Sequence, residues 1–159
     1  MKSSTILLLA ATLLGGFASG VRAESIHLKQ CPESVIKTIQ GQVGPGRIDK
    51  IKCIRLEGRV LYLAEIDLPG RRERKIHVGG DGTLLKVIDE IRLADLPRPV
   101  RVAVDPFLVG DSHFDSADKV TAAGKTEYHV DIELDDDVDL HLVLGEGGEI
   151  LRRTEEGDF

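Results

Sequence analysis

His129, Asp131 and His141 are the residues whose types and spacing come nearest to a site. Imidazole and carboxylate are ligands for Zn²⁺ and Cu²⁺. His129 and Asp131 alternate with Tyr128, Val130 and Ile132, which places both on the polar face of a predicted strand. If Asp135–Asp137 form a turn that sets Leu134 opposite Val138, Asp131 faces His141 across the ladder and His129 lies diagonal to it. Two imidazoles and a carboxylate then make a loose metal site. A two-residue shift of register separates them. No His-x-x-x-His or Cys pair fixes the spacing, and the plainer reading is a solvated strand face.

Cys31 and Cys53 are the only cysteines, an even number that suits a disulfide in an oxidising compartment. Cys31 opens a predicted helix and Cys53 sits in the strand after it. A bridge closes a loop of about 20 residues and stabilises by ~3 kcal/mol on the chain-entropy argument. Two buried free thiols are the alternative, and the reach of the two Cβ atoms decides between them.

Charge is the third chemical feature. Residues 31–90 hold 11 Lys or Arg and 9 Asp or Glu, whereas residues 91–159 hold 7 and 17. The contrast concentrates in two matching turns. Gly70-Arg71-Arg72-Glu73-Arg74-Lys75 is basic, and Asp135-Asp136-Asp137-Val138-Asp139 is acidic. Arg71, Arg72 and Arg74 could pair with Asp135, Asp136 and Asp137, within one chain or between two. Surface ion pairs contribute little, so two independently solvated turns are the simpler expectation.

No catalytic constellation emerges. There is no Gly-x-Ser-x-Gly elbow, no Gly-rich phosphate loop and no His-Glu-x-x-His. The Asp run lacks the 12-residue pattern of a calcium loop. A net charge of −6 disfavours nucleic acid as a partner. The expectation is a non-enzymatic chain with no cofactor.

The elements that position these residues start after a leader. Lys2, the apolar run Ile6–Phe17 and the small residues of Val21-Arg22-Ala23 have the layout of a secretory signal. The run is nearer a dozen residues than the ~20 that a membrane span needs. Residues 1–23 are therefore expected to be cleaved, leaving a periplasmic or extracellular chain without stable membrane insertion.

From Glu24 onward the sequence reads as one pattern written twice, over 24–90 and 91–159. Cys31-Pro32-Glu33-Ser34-Val35 matches Leu96-Pro97-Arg98-Pro99-Val100, and Ile39 matches Val104, at an offset of 65. The offset then becomes 66: Tyr62, Ala64, Ile66 and Leu68 align with Tyr128, Val130, Ile132 and Leu134. Ile76 and Val78 align with Leu142 and Leu144, and Gly82-Thr83-Leu84-Leu85 with Gly148-Glu149-Ile150-Leu151. Each half predicts a helix that opens at proline. Val35, Ile36, Ile39 and Val43 form the apolar stripe of one helix, and Val100, Ala103 and Val104 that of the other. Pro106 should end the second helix early. Four strands follow in each half, so the predicted fold is α+β, two tandem αββββ units, each a helix packed on a four-stranded antiparallel sheet. A unit of about 60 residues buries a marginal core, so the two should pack on each other or share a sheet.

Leu96, Pro97 and Val100, then Tyr128, Val130 and Ile132, then Gly148, Ile150 and Leu151 resemble the PepSY-like, β-lactamase-inhibitor-like domains of exported bacterial proteins. The likeness spans 31–90 and 96–154, with Cys31 for Leu and Ala64 for Val in the first half. It implies a helix on a four-stranded antiparallel sheet, outside the cytoplasm, in small binding or inhibitory modules. It brings no catalytic residues. The β-lactamase inhibitor proteins grip an enzyme with a tandem sheet surface.

The resulting expectation is an exported non-catalytic module that binds or inhibits an exported or envelope protein such as a peptidase. A periplasmic small-ligand or metal sensor or carrier is the alternative. Leu61 and Leu63 lie between Glu65, Asp67 and Lys75 on a strand face that is unusually apolar for exposure. They are expected to mark the contact between the two units, or otherwise a partner surface.

Overall fold

The computed structural model describes residues 22–135 and 138–157. In chain order its elements are β1 (Arg22–Ile26), α1 (Glu33–Val43), β2 (Arg47–Leu56), β3 (Arg59–Leu68), β4 (Arg72–Gly79) and β5 (Leu84–Glu90). Then come α2 (Arg98–Val104), β6 (His113–Ala122), β7 (Lys125–Asp135), β8 (Val138–Gly145) and β9 (Ile150–Gly157).

The nine strands pair in sequential order, all antiparallel, as one sheet. This overturns the expected two tandem αββββ units, each a helix on a four-stranded sheet; of packing on each other or sharing a sheet, the two halves do the second. The reason lies at the middle of the chain. β5 pairs with β6 from Lys86↔Ala122 to Glu90↔Asp118, so the two edges that separate units would leave open satisfy each other's backbone groups. A ninth strand also appears where no strand was expected. β1 pairs with β2 from Arg22↔Arg55 to Ile26↔Ile51, and the predicted cleavage point after Ala23 falls inside it. Residues 1–21, the rest of the predicted leader, lie outside the described residues.

Local sequence explains the hairpins. Glu57-Gly58 (φ 45 and 79) and Ala123-Gly124 (φ 51 and 74) link their strands with two residues of positive φ. That geometry matches the twist of the flanking strands. Both helices open at proline: the Pro32 carbonyl accepts from Ile36 N at 2.9 Å and the Pro97 carbonyl from Arg101 N at 2.8 Å. Pro106 follows α2 in a single 3₁₀ turn, Asp105–Phe107, as its missing N–H dictates.

One row of residues across the ladders shows which face the helices cover. It runs Ile48, Ile66, Arg74, Asp89, Lys119, Tyr128, Leu144. Ile66 belongs to a core with Val35 and Ile39 of α1. Tyr128 and Leu144 belong to a second core with Val100 and Val104 of α2. Both helices therefore lie on the same side, and the polar row Arg74–Asp89–Lys119 separates their two cores. Residues related by the 65- and 66-residue offsets are buried in both halves: Val35 and Val100, Ile39 and Val104, Ile66 and Ile132, Ile76 and Leu142.

Gly82 (φ +90) and Gly148 (φ +85) dock the turns before β5 and β9 onto the first turns of the helices. A Cβ on Gly82 would stand 2.7 Å from Ser34 Cβ, and one on Gly148 2.4 Å from the Pro99 carbonyl oxygen. Only glycine fits that approach and that φ.

Cys31 and Cys53 are free thiols in the first core, which corrects the expected disulfide. Cys31 Sγ is 4.0 Å from the His27 carbonyl oxygen. Burial, then the neighbouring Cys53, push the Cys31 thiol's pKa up, so it stays protonated and fills space as a small apolar group.

Candidate binding face

Because both helices share one side, no helix among the described residues covers the other face of the sheet. Its residues follow from alternation: where Tyr62, Ala64 and Ile66 point to α1, Leu61, Leu63 and Glu65 point away. Leu61 pairs with Ile54 and Gly79, and Leu63 with Lys52 and His77. Leu61 and Leu63 are half-buried. They do not form a contact between the two halves, which meet edge to edge at β5 and β6. Burial, then nearby Lys86, hold the His77 pKa below the usual imidazole range. Its ring is neutral near pH 7 and extends the apolar patch of Ile54, Leu61 and Leu63.

Beyond this patch the face is first mixed in charge and then acidic. The row Lys50, Glu65, Lys75, Ile88, Val120, Glu127 crosses the middle of the sheet. Next to it, Glu90 faces Asp118, and Asp118 faces His129. Glu73, Lys75, Ile88, Glu90, Ser116 and Asp118 line a shallow furrow of about 160 Å³ at the β4–β5–β6 seam. That is smaller than the ~300–1,000 Å³ of a small-molecule pocket. Glu73 Oε2 lies 3.3 Å from Lys75 Nζ, and the Glu73 amide donates to Glu90 Oε2 at 3.0 Å. Burial raises the Asp118 pKa; Lys75 opposes that rise and Asp131 adds to it.

The three predicted metal ligands separate into a pair and a single. Asp131 pairs with His141 in the ladder, although a bulge after Glu133 sets Asp135, not Leu134, opposite Val138. His141 Nδ1 and Asp131 Oδ1 are 2.5 Å apart, and Ser116 Oγ donates to Asp131 Oδ2 at 2.7 Å. Partial burial works against charge on His141. The hydrogen bond and charge of Asp131, with Glu156 and Asp139, outweigh burial and raise its pKa. His129 does not join them. It pairs with Asp118 and Val143, its Nε2 is 3.6 Å from Glu127 Oε2, and that nitrogen is buried without a hydrogen-bond partner. Among the described residues, no three His, Cys, Asp or Glu side chains converge as metal ligands. Nor does the Ser116–Asp131–His141 chain make a nucleophile. The carboxylate sits between hydroxyl and imidazole, so no base receives the serine proton.

The basic turn disperses similarly. Arg71 (φ 59) is exposed at the β3–β4 hairpin, and Arg72 pairs with Leu68. Arg74 leaves the turn for the helix side, where its Nε is 2.5 Å from Asp89 Oδ1 and its Nη1 donates to the Gln42 carbonyl at 2.9 Å. Asp135 closes β7 opposite Val138; Asp136 and Asp137 lie outside the described residues. The sequence reading missed the furrow residues Glu90, Ser116 and Asp118. Their polar positions in β5 and β6 were legible, but the pairing that brings them together was not.

No helix among the described residues is long and apolar enough to cross a membrane. No protein-family model and no curated protein matches the chain. Solved structures do match its fold. A BLIP-like protein from Bacteroides fragilis superposes with a TM-score of 0.61 at 17% identity, over 81% of this chain and 89% of that one. A candidate periplasmic protein from Bacteroides eggerthii gives 0.63 at 14% identity, over 79% and 88%. A DUF2874 family protein from Bacteroides uniformis gives 0.62 at 14% identity, over 79% and 89%. At these identities the likeness is one of fold alone.

Proposed function

We propose that this chain is an exported, non-catalytic binding module that grips an exported or envelope protein, such as a peptidase, with the helix-free face of its sheet. The observation that carries this reading is the uncovered face itself. Half-buried Ile54, Leu61 and Leu63 stand there with Lys52, His77 and Lys86 as ladder neighbours, and the acidic residues Glu90, Asp118 and Asp131 lie farther along the face, past the row Lys50–Glu65–Lys75–Ile88. An apolar centre with a charged surround is the composition of a protein–protein contact. The furrow at the seam, about 160 Å³, is small for an enclosed small molecule. The secretory layout of the N-terminal segment supports export, as does the fold shared with a candidate periplasmic protein. The BLIP-like neighbour supports a binding role.

The test is capture from a periplasmic extract on the immobilised chain. A partner held by the native protein should be lost on Leu61→Glu/Leu63→Glu, and kept on Val102→Glu, which changes an exposed residue of α2 on the other side. Retention by the Leu61/Leu63 variant, with loss on the Val102 variant, would move the contact to the helices and sink the proposal.

A further inference from the structure

Among the described residues the sheet ends at β9, which pairs there with β8 alone and is exposed from Ile150 through Glu156. A free strand edge carries unpaired amides and carbonyls ready to receive another strand, and charges on such an edge ordinarily repel that addition. Here the charges are ordered in a way that does the opposite. The strand reads Arg152-Arg153-Thr154-Glu155-Glu156, which is its own complement when reversed.

We infer that β9 is a self-association edge, and that two copies of this chain join through it as an antiparallel pair centred on Thr154. In that register Arg152 lies opposite Glu156 of the second copy, and Arg153 opposite its Glu155. The faces agree as well. Arg152 and Glu156 pair with Val143 and Asp139 on the helix-free side, while Arg153 and Glu155 pair with Leu142 and Leu140 on the helix side. Opposed residues of an antiparallel ladder share a face, so both ion pairs form without twisting a side chain through the sheet. Moving the centre to Arg153 or Glu155 sets like charge against like, and the favoured register is therefore unique. The contact is isologous and closes after two copies. It runs the two sheets into one, with all four helices on one side and both binding faces on the other.

Within one copy Arg153, Glu155 and Glu156 have partners of their own. Arg153 Nε donates to Glu155 Oε1 at 3.1 Å, and its guanidinium stands 5.2 Å over the Phe107 ring. Glu156 Oε2 is 3.9 Å from His141 Nε2. Association exchanges the Arg153–Glu155 contact along the strand for one across the new ladder.

Sedimentation of the native chain should give twice the chain mass at low salt, with a shift toward the single mass at about 0.5 M salt, where charges are screened within a few ångströms. Arg152→Glu/Arg153→Glu and Glu155→Arg/Glu156→Arg should each sediment at the single mass. Their equimolar mixture should recover the double mass, because the two altered strands complement each other. Thr154→Cys should form a disulfide between copies on mild oxidation, since opposed Cβ atoms in a ladder lie ~4.5–5.5 Å apart. A native chain that stays single at high concentration overturns the inference. So does a charge-reversed variant that still sediments at the double mass, a mixture that stays single, or a Thr154→Cys chain that does not crosslink.

Discussion

Asp131 is the residue around which the polar side of the second half is organised, holding Ser116 through one oxygen and His141 through the other. Its effect on His141 fixes a pH dependence. The folded imidazole titrates above its ordinary value despite partial burial. The protonated ring therefore stabilises the fold fully below the unfolded pKa of ~6.5, and that contribution fades as pH rises through the folded pKa. Both side chains are near 40% exposed (40% and 38%), so solvent screening holds the effect to about 0.5 kcal/mol or less. In Asp131→Asn the His141 pKa should fall, read by NMR titration of the ring, and the melting temperature should drop more at about pH 5.5 than at about pH 8. An imidazole that titrates at or below 6.5 in the native chain would refute this. The Asp131–His141 pairing was legible in the sequence because alternation and a short turn set the register. The separation of His129 was not, because its ring lies toward Glu127 on its own strand, with Nε2 3.6 Å from Oε2.

At the scale of elements, the turns before β5 and β9 matter more than their exposure suggests. Gly148 brings its backbone against the Pro99 carbonyl, where a Cβ would stand at 2.4 Å. Gly124 has a comparable φ, +74 against +85, but nothing within 4 Å of a Cβ. Alanine at either position meets the cost of positive φ, ~1 kcal/mol, while at Gly148 the clash adds to it for a total of about 2–3 kcal/mol. Chemical denaturation should rank Gly148→Ala clearly below Gly124→Ala in midpoint, and equal losses would mean the turn shifts freely off α2. The helices themselves were readable: Val35 and Ile39, like Val100 and Val104, fall at the spacing that buries one side. β1 was not, because Arg22-Ala23-Glu24-Ser25-Ile26 carries no apolar alternation and the same residues fit the end of a leader. β5 was recognised as a strand, yet its partner was not. Val87 faces the helices and Ile88 the open side, both half-buried, so neither face marks the strand as belonging to an edge or to the sheet interior.

For the molecule as a whole, that missed pairing is what joins two cores into one body. The cores lie on the same side of the sheet but are separated by Arg74, Asp89 and Lys119. Their connection is therefore the β5–β6 ladder and the Arg74–Asp89 ion pair beside it, not a shared hydrophobic interior. Each half alone would be a chain of about 60–70 residues with a marginal core and a raw strand edge at the cut. Expressed separately, residues 24–90 and 91–159 should not melt as cooperative monomers; each should be unfolded or associate through its bare edge. Mixed, they should regain the circular dichroism of the intact chain, because β5 and β6 are each other's complement over Lys86–Glu90 and Asp118–Ala122. The full chain should melt in a single transition, since opening the seam exposes ten residues' worth of ladder to water with no apolar gain on either side. Should each half instead melt sharply as a monomer near the temperature of the whole, the seam would be dispensable. The two cores would then be independent folding units that happen to abut, and the continuous open face would rest on a contact too weak to hold it flat.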